Sequence, residues 1–182
     1  MSYLNVPSRE DVSPANQAIF DNLEKKIGFV PNLYATYAHS EFGLNNLLQL
    51  GGAPSSLSNK EQQIVNLTVS QVNNCDYCLA AHTAMGKGAG FNDDQILEIR
   101  TGHASFNEKY DALAALSKNI TENRGYADEL HVTNFLEAGY TKENLVDVIL
   151  KVGEKTISNY LHNLTKVPVD FPAAPSLKPE LA

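Results

Sequence analysis

The chain has no cluster of basic residues, no long apolar run and almost no strand pattern, and only two of its 182 residues are cysteine. Fourteen Lys and Arg stand against 21 Asp and Glu, a formal charge of −7. That sign, with no basic patch to overcome it, excludes nucleic acid and an anionic membrane surface as expected partners. No stretch approaches the ~20 apolar residues that cross a bilayer, so no membrane partner is expected either. Met1-Ser2-Tyr3-Leu4-Asn5-Val6-Pro7 lacks the basic start and apolar run of a secretory signal. The expectation is a soluble, cytoplasmic protein. In a reducing compartment a structural disulfide is rare, and a close cysteine pair is more often redox-active or metal-binding. With 43% hydrophobic and 19% charged residues, no disordered block stands out, and residues 1–182 are expected to form one domain around one core.

What is present is helical punctuation. Ser13-Pro14 is a cap followed by proline at the first helical position, and Ala18, Ile19, Leu23 and Ile27 recur at helical spacing before the stop at Gly28. Further helices are expected over 32–40 and 41–50. Ser58 caps the next, over 59–72, where Val65, Val69 and Val72 form a stripe beside Ile64 and Leu67. Asn73-Asn74 interrupts the pattern, and a cysteine-bearing helix follows to Gly86-Lys87-Gly88. Asn92 caps a short helix to Arg100, and helices are expected over 108–122, 128–138 and 141–164. The tail, 167–182, carries Pro168, Pro172, Pro175 and Pro179, so it is expected to be extended and to drape over a neighbouring surface. The fold class is all-α. A faint internal echo at an offset of 83 pairs Ser58 with Thr141, Val65 with Val148, Leu67 with Leu150, Val69 with Val152 and Tyr77 with Tyr160. Ser158 and Leu161 stand where the first copy has Cys75 and Cys78.

The chemistry is concentrated in Cys75-Asp76-Tyr77-Cys78-Leu79-Ala80-Ala81-His82. Steps of three and four residues return to one helix face, so Cys75, Cys78 and His82 are expected on one stripe. Such a pair can form and break a disulfide while the histidine shuttles the proton. Cys75, just after the break, falls at a helix start, where unpaired N–H groups and the dipole favour thiolate. Cys78 lies within side-chain reach of His82. Either sulfur could attack: Cys78 has the closer base, and Cys75 has the helix terminus and the better expected exposure. The same pair would also suit a protein disulfide reductase or a non-catalytic redox switch. Two thiolates and one imidazole would, in addition, supply three ligands to zinc. His39, His103, His131 and His162 lie far off in sequence and no second CxxC exists. Zinc is therefore the minority reading, and no metal and no cofactor are expected.

Together with the helix before it, this motif resembles the carboxymuconolactone decarboxylase family, in its alkylhydroperoxidase AhpD-like, peroxidase-related branch. Phe29-Val30-Pro31-Asn32-Leu33-Tyr34-Ala35, His39-Ser40, Ser158-Asn159-Tyr160 and Val169-Asp170-Phe171-Pro172 resemble that branch too. The resemblance implies an AhpD-like helical bundle that assembles as a homo-oligomer, a trimer or hexamer. It also implies reduction of a hydroperoxide through a Cys75–Cys78 dithiol/disulfide cycle, with a dithiol of thioredoxin or lipoyl type as reductant. In the family a glutamate twelve residues before the first cysteine completes the proton relay. Here that position is Gln63, which can orient an imidazole or hold a water but cannot carry a proton. Glu61 falls on nearly the opposite face of its helix and Asp76 points off the Cys78–His82 stripe. The pair itself argues against lactone decarboxylation.

Overall fold

A computed structural model describes residues 4–177, and every regular element in it is helical. Helix α1 (Pro14–Ile27) opens on Ser13, whose hydroxyl accepts from the Asn16 N–H, and ends at Gly28 in the left-handed region at φ 87°. Before it lies a single 3₁₀ turn (Arg9–Asp11), closed by reciprocal Ser8–Asp11 hydrogen bonds, which the apolar pattern does not signal. Helices α2 (Asn32–Tyr37) and α3 (Gly43–Gly51) are shorter than expected. The chain turns between them, where Ser40 N–H bonds back to Tyr37 and the Ser40 hydroxyl accepts from Gly43 N–H.

Helix α4 (Asn59–Val72) begins on a reciprocal box in which Ser58 and Glu61 satisfy each other's backbone N–H. It ends at Asn73, and Asn74 takes φ 50°, a conformation that asparagine tolerates better than most residues. That bend swings Cys75 back so that its N–H donates to Ser70, 3.0 Å away. Helix α5 (Asp76–Gly88) then starts with Cys75 as its cap. Helices α6 (Asp93–Arg100), α7 (Glu108–Glu122), α8 (Glu129–Glu137) and α9 (Lys142–Thr165) complete the set.

The organising element is α4, which packs against α5, α6, α7 and α9. Its Ile64, Val65, Leu67 and Val69 meet Leu113 and Leu116 of α7, Phe135 of α8 and Val148 of α9 in the main core. A second cluster ties α1 to α3 through Phe20, Ala35 and Leu44. Between the two, a smaller cluster joins α2, α5 and the tail: Leu33, Cys75, Tyr77, Cys78 and Val167.

The tail after α9 is extended and lies across this third cluster. Asp170 accepts from Asn32 N–H and from the Tyr77 hydroxyl, both at 2.6 Å, Phe171 packs edge-on to Phe29 and Tyr77, and Arg100 donates to the Pro175 carbonyl at 2.6 Å. Pro179 lies outside the described residues. No helix among the described residues is long and apolar enough to cross a membrane. The internal echo holds only in part. Val65 with Val148 and Val69 with Val152 are buried in both copies, whereas Leu150 and Tyr160 are exposed where Leu67 and Tyr77 are buried. The second copy also runs unbroken through Ser158, where the first bends into Cys75.

Candidate active site

Both cysteines are free and buried, Cys75 at 0% exposure and Cys78 at 3%. The better exposure expected of Cys75 is not found. As the cap of α5 it points inward, and its Sγ accepts from Cys78 N–H at 3.3 Å. Cys75 also departs from the expected stripe, because its backbone is extended (φ −98°, ψ 96°) rather than helical. The two sulfurs shift each other's acidity in opposite directions. The Cys78 S–H donates to Cys75, and with help from His162 and the Cys78 N–H this holds the Cys75 thiol well below the usual range. The same hydrogen bond, with burial, pushes Cys78 up. Lys155 and the Asn159 amide act on Cys78 in the opposite direction. Of the two, Cys75 is therefore the sulfur favoured as thiolate and Cys78 the one favoured as thiol.

Cys78 opens on a cavity of ≈ 480 Å³ at the meeting of α1 to α5, α9 and the tail. Its apolar wall includes Ile27, Phe29, Leu33, Leu47, Met85 and Phe171. Its polar end holds Gln63 and Asn66 of α4, His82 of α5, and Lys151, Glu154 and Lys155 of α9. Cys75 does not line it.

His82 and Gln63 are brought together: His82 Nδ1 lies 2.9 Å from Gln63 Oε1. An amide oxygen only accepts, so Nδ1–H donates and the lone pair is left on Nε2. Burial, reinforced by Lys155 and Lys151, pushes His82 well below its ordinary range, so the ring rests neutral. Cys78 and His82 line the same cavity one helical turn apart, yet the ring's hydrogen-bond partner is Gln63. Glu61 is engaged elsewhere, with Ser58 and, at 3.8 Å, Lys109. Asp76 is exposed and does not line the cavity.

Sequence reasoning missed the contribution of α9. His162, distant from the motif in sequence, packs against Tyr77 with ring centroids 5.3 Å apart and planes tilted by 43°, and donates through Nε2–H to the Val167 carbonyl at 3.2 Å. Its Nδ1, buried and with no other partner, is the ring nitrogen left to act on Cys75. Lys155 is buried beside Glu154, and Tyr37 donates to Ser158 at 3.4 Å. A signal for these residues existed: Val148, Val152, Lys155, Asn159 and His162 follow steps of four and three along the buried face of α9. Among the described residues no three His, Cys, Asp or Glu side chains converge as metal ligands.

Residues 42–117 match the sequence profile of the carboxymuconolactone decarboxylase family. Among solved structures, a peroxidase-related protein from Ralstonia eutropha JMP134 with an alkylhydroperoxidase AhpD core is similar at TM-score 0.83 and 19% identity, over 93% of this chain and 92% of its own. A peroxidase-related protein from Silicibacter sp. TM1040 is similar at TM-score 0.76 and 20% identity, covering 92% of this chain and 91% of that one. The debrominase Bmp8, solved in complex with 2,3,4-tribromopyrrole, reaches TM-score 0.78 at 15% identity, over 93% of this chain and 92% of its own. At these identities the likeness is one of fold. Curated proteins give no significant match.

Proposed function

Taking as premise that this chain belongs through residues 42–117 to the carboxymuconolactone decarboxylase family, on an AhpD-like fold, we propose that it is a thiol-dependent oxidoreductase that reduces hydroperoxides. The observation that carries the reading is the adjacent pair of free, buried cysteines, with Cys75 Sγ accepting from Cys78 N–H at 3.3 Å and Cys78 opening on the cavity. Cys78 is the attacking sulfur, because it alone of the two meets the cavity. Its S–O bond forms as the peroxide O–O bond breaks, leaving Cys78 sulfenic acid and an alkoxide. His82, with its lone pair on Nε2, takes the Cys78 proton and passes it to the alkoxide, which leaves as alcohol. Because burial disfavours the imidazolium, the proton stays on the ring only in passing. Cys75, the sulfur favoured as thiolate, attacks the sulfenic sulfur. The disulfide forms and hydroxide leaves, taking one proton from solvent. Two electrons have passed from the dithiol to the peroxide.

The disulfide is reopened by an external dithiol. With both sulfurs beneath the surface, that reductant reaches Cys78 through the cavity, which favours a slender lipoyl-type arm over the flat face of a thioredoxin-type protein. Such a cycle belongs in a reducing compartment such as the cytoplasm. The reading extends to a homo-oligomer. Val146, Ile149, Leu150, Ile157, Tyr160 and Leu164 form an exposed apolar stripe along α9, which copies of the same chain would cover. Light scattering gives the assembly size, and a monomer at micromolar concentration contradicts that part. Consumption of an organic hydroperoxide with dihydrolipoamide as electron donor tests the function. Absence of turnover in the wild-type protein and in Cys78→Ser alike overturns it.

A further inference from the structure

Lys155 is only 6% exposed. Its ammonium makes no hydrogen bond among the described residues, and its ion pair with Glu154 Oε1 is long, at 3.6 Å. Glu154 is shared, since its other oxygen lies 3.5 Å from Lys151. The ammonium, held by this long ion pair alone, thus keeps N–H donors to spare at the edge of the cavity. Across from α9, Asn66 of α4 is 4% exposed and its Oδ1 is buried with no hydrogen-bond partner. A buried amide oxygen without a partner costs free energy, and so does a buried ammonium whose ion pair is long. Here both residues line the same cavity as Cys78.

We infer that Lys155 and Asn66 form the polar subsite that receives the peroxide group, an inference that rests on the hydroperoxide reading above. A hydroperoxide R–O–O–H has a donor on its outer oxygen and a leaving oxygen that gains negative charge as the O–O bond breaks. Asn66 Oδ1 accepts from the outer O–H and holds that oxygen toward Cys78. Lys155 donates a hydrogen bond to the oxygen that departs. The ammonium keeps its protons. It lowers the energy of the developing alkoxide, and the proton that neutralises the alkoxide comes from Cys78 through His82.

The charge is kept in place by its surroundings. Burial works against the ammonium, but Glu154, Cys78, Tyr34 and Cys75 together hold it charged. Around Cys78 the groups of either sign are Cys75 and His82 on its own element, Lys151, Glu154, Lys155 and His162 on α9, Tyr34 and Tyr37 on α2, and Asp170 on the tail. Lys155 acts on the Cys78 sulfur in the direction of thiolate.

The test compares wild type with Lys155→Met, Lys155→Arg and Asn66→Ala. Disulfide formation is followed in single turnover with cumene hydroperoxide and with hydrogen peroxide, and the pH midpoint of Cys78 alkylation by iodoacetamide is read in a Cys75→Ser background. Removing one preorganised donor typically costs about 10²-fold or more in rate, so Lys155→Met is expected to slow oxidation by about that factor. It should also move the alkylation midpoint upward, and Lys155→Arg should restore most of both. Asn66→Ala, which removes no charge, is expected to slow oxidation while leaving the midpoint where it was. This variant decides the matter if Lys155→Met does not fold. A wild-type protein that never oxidises with either peroxide refutes the hydroperoxide reading itself. A wild-type protein that oxidises while Lys155→Met or Asn66→Ala oxidises equally fast refutes the subsite and leaves that reading standing.

Discussion

Replacing Gln63 by glutamate is expected to change how the protein responds to pH, in a calculable direction. The carboxylate keeps the acceptor that His82 Nδ1–H now meets at 2.9 Å, and it adds a full negative charge beside the ring. At about 4 Å and an effective dielectric of about 20, that charge attracts an imidazolium by roughly 4 kcal/mol. Desolvating the new carboxylate beside a buried ring returns part of this, and Lys151 and Lys155 compete for the same charge. A net gain of roughly 1–2 kcal/mol remains, which corresponds to about tenfold in rate. The sign follows from the resting state. His82 is now held below its ordinary range by burial, Lys155 and Lys151, so glutamate moves it upward. The stronger base should speed turnover on the neutral and alkaline side by about that tenfold. Because the ring must begin neutral, the acid limb should shift to higher pH. Hydroperoxide consumption with a dithiol donor from about pH 5 to 9 measures both, across the ordinary histidine range. A profile superimposable on wild type would remove Gln63 and His82 from the proton path.

Two further substitutions probe the surroundings. His162→Gln removes a group that favours the Cys75 thiolate, so the thiolate absorbance at 240 nm should titrate at higher pH than in wild type; an unmoved curve would mean that His162 only packs on Tyr77. Tyr77→Phe deletes a hydrogen bond to the Asp170 carboxylate and leaves the buried Leu33 N–H unpaired. By urea denaturation at constant m-value, the expected loss is about 2–4 kcal/mol, and a loss under about 1 kcal/mol would show that the tail holds without this bond.

The helices were legible because their ends are written locally. Ser13-Pro14, Ser58, Asn92 and Gly28 are signals that act within four residues, and the structure uses each of them as such. The cysteine motif was legible for the same reason, since its bend at Asn73-Asn74 and its spacing are local. What lies outside that reach was misjudged. The burial of Cys75 depends on Val167 and the tail, some ninety residues later, which no helical periodicity records. His162 and Lys155 approach the cysteines only because α9 packs along α4. Their phase on the buried face of α9 was visible, but the helix that would meet that face was not. Gln63 beside His82 was reached through family resemblance, and spacing within α4 could not have supplied a contact to α5.

The most direct test of the dithiol cycle is thiol counting after one equivalent of organic hydroperoxide is added to the reduced, oxygen-free protein. The expected result is the simultaneous loss of both thiols in each chain as a Cys75–Cys78 disulfide, fully recovered by a dithiol. Two free thiols after the addition would contradict the cycle, as would Cys78 accumulating as sulfinic acid while Cys75 remains free.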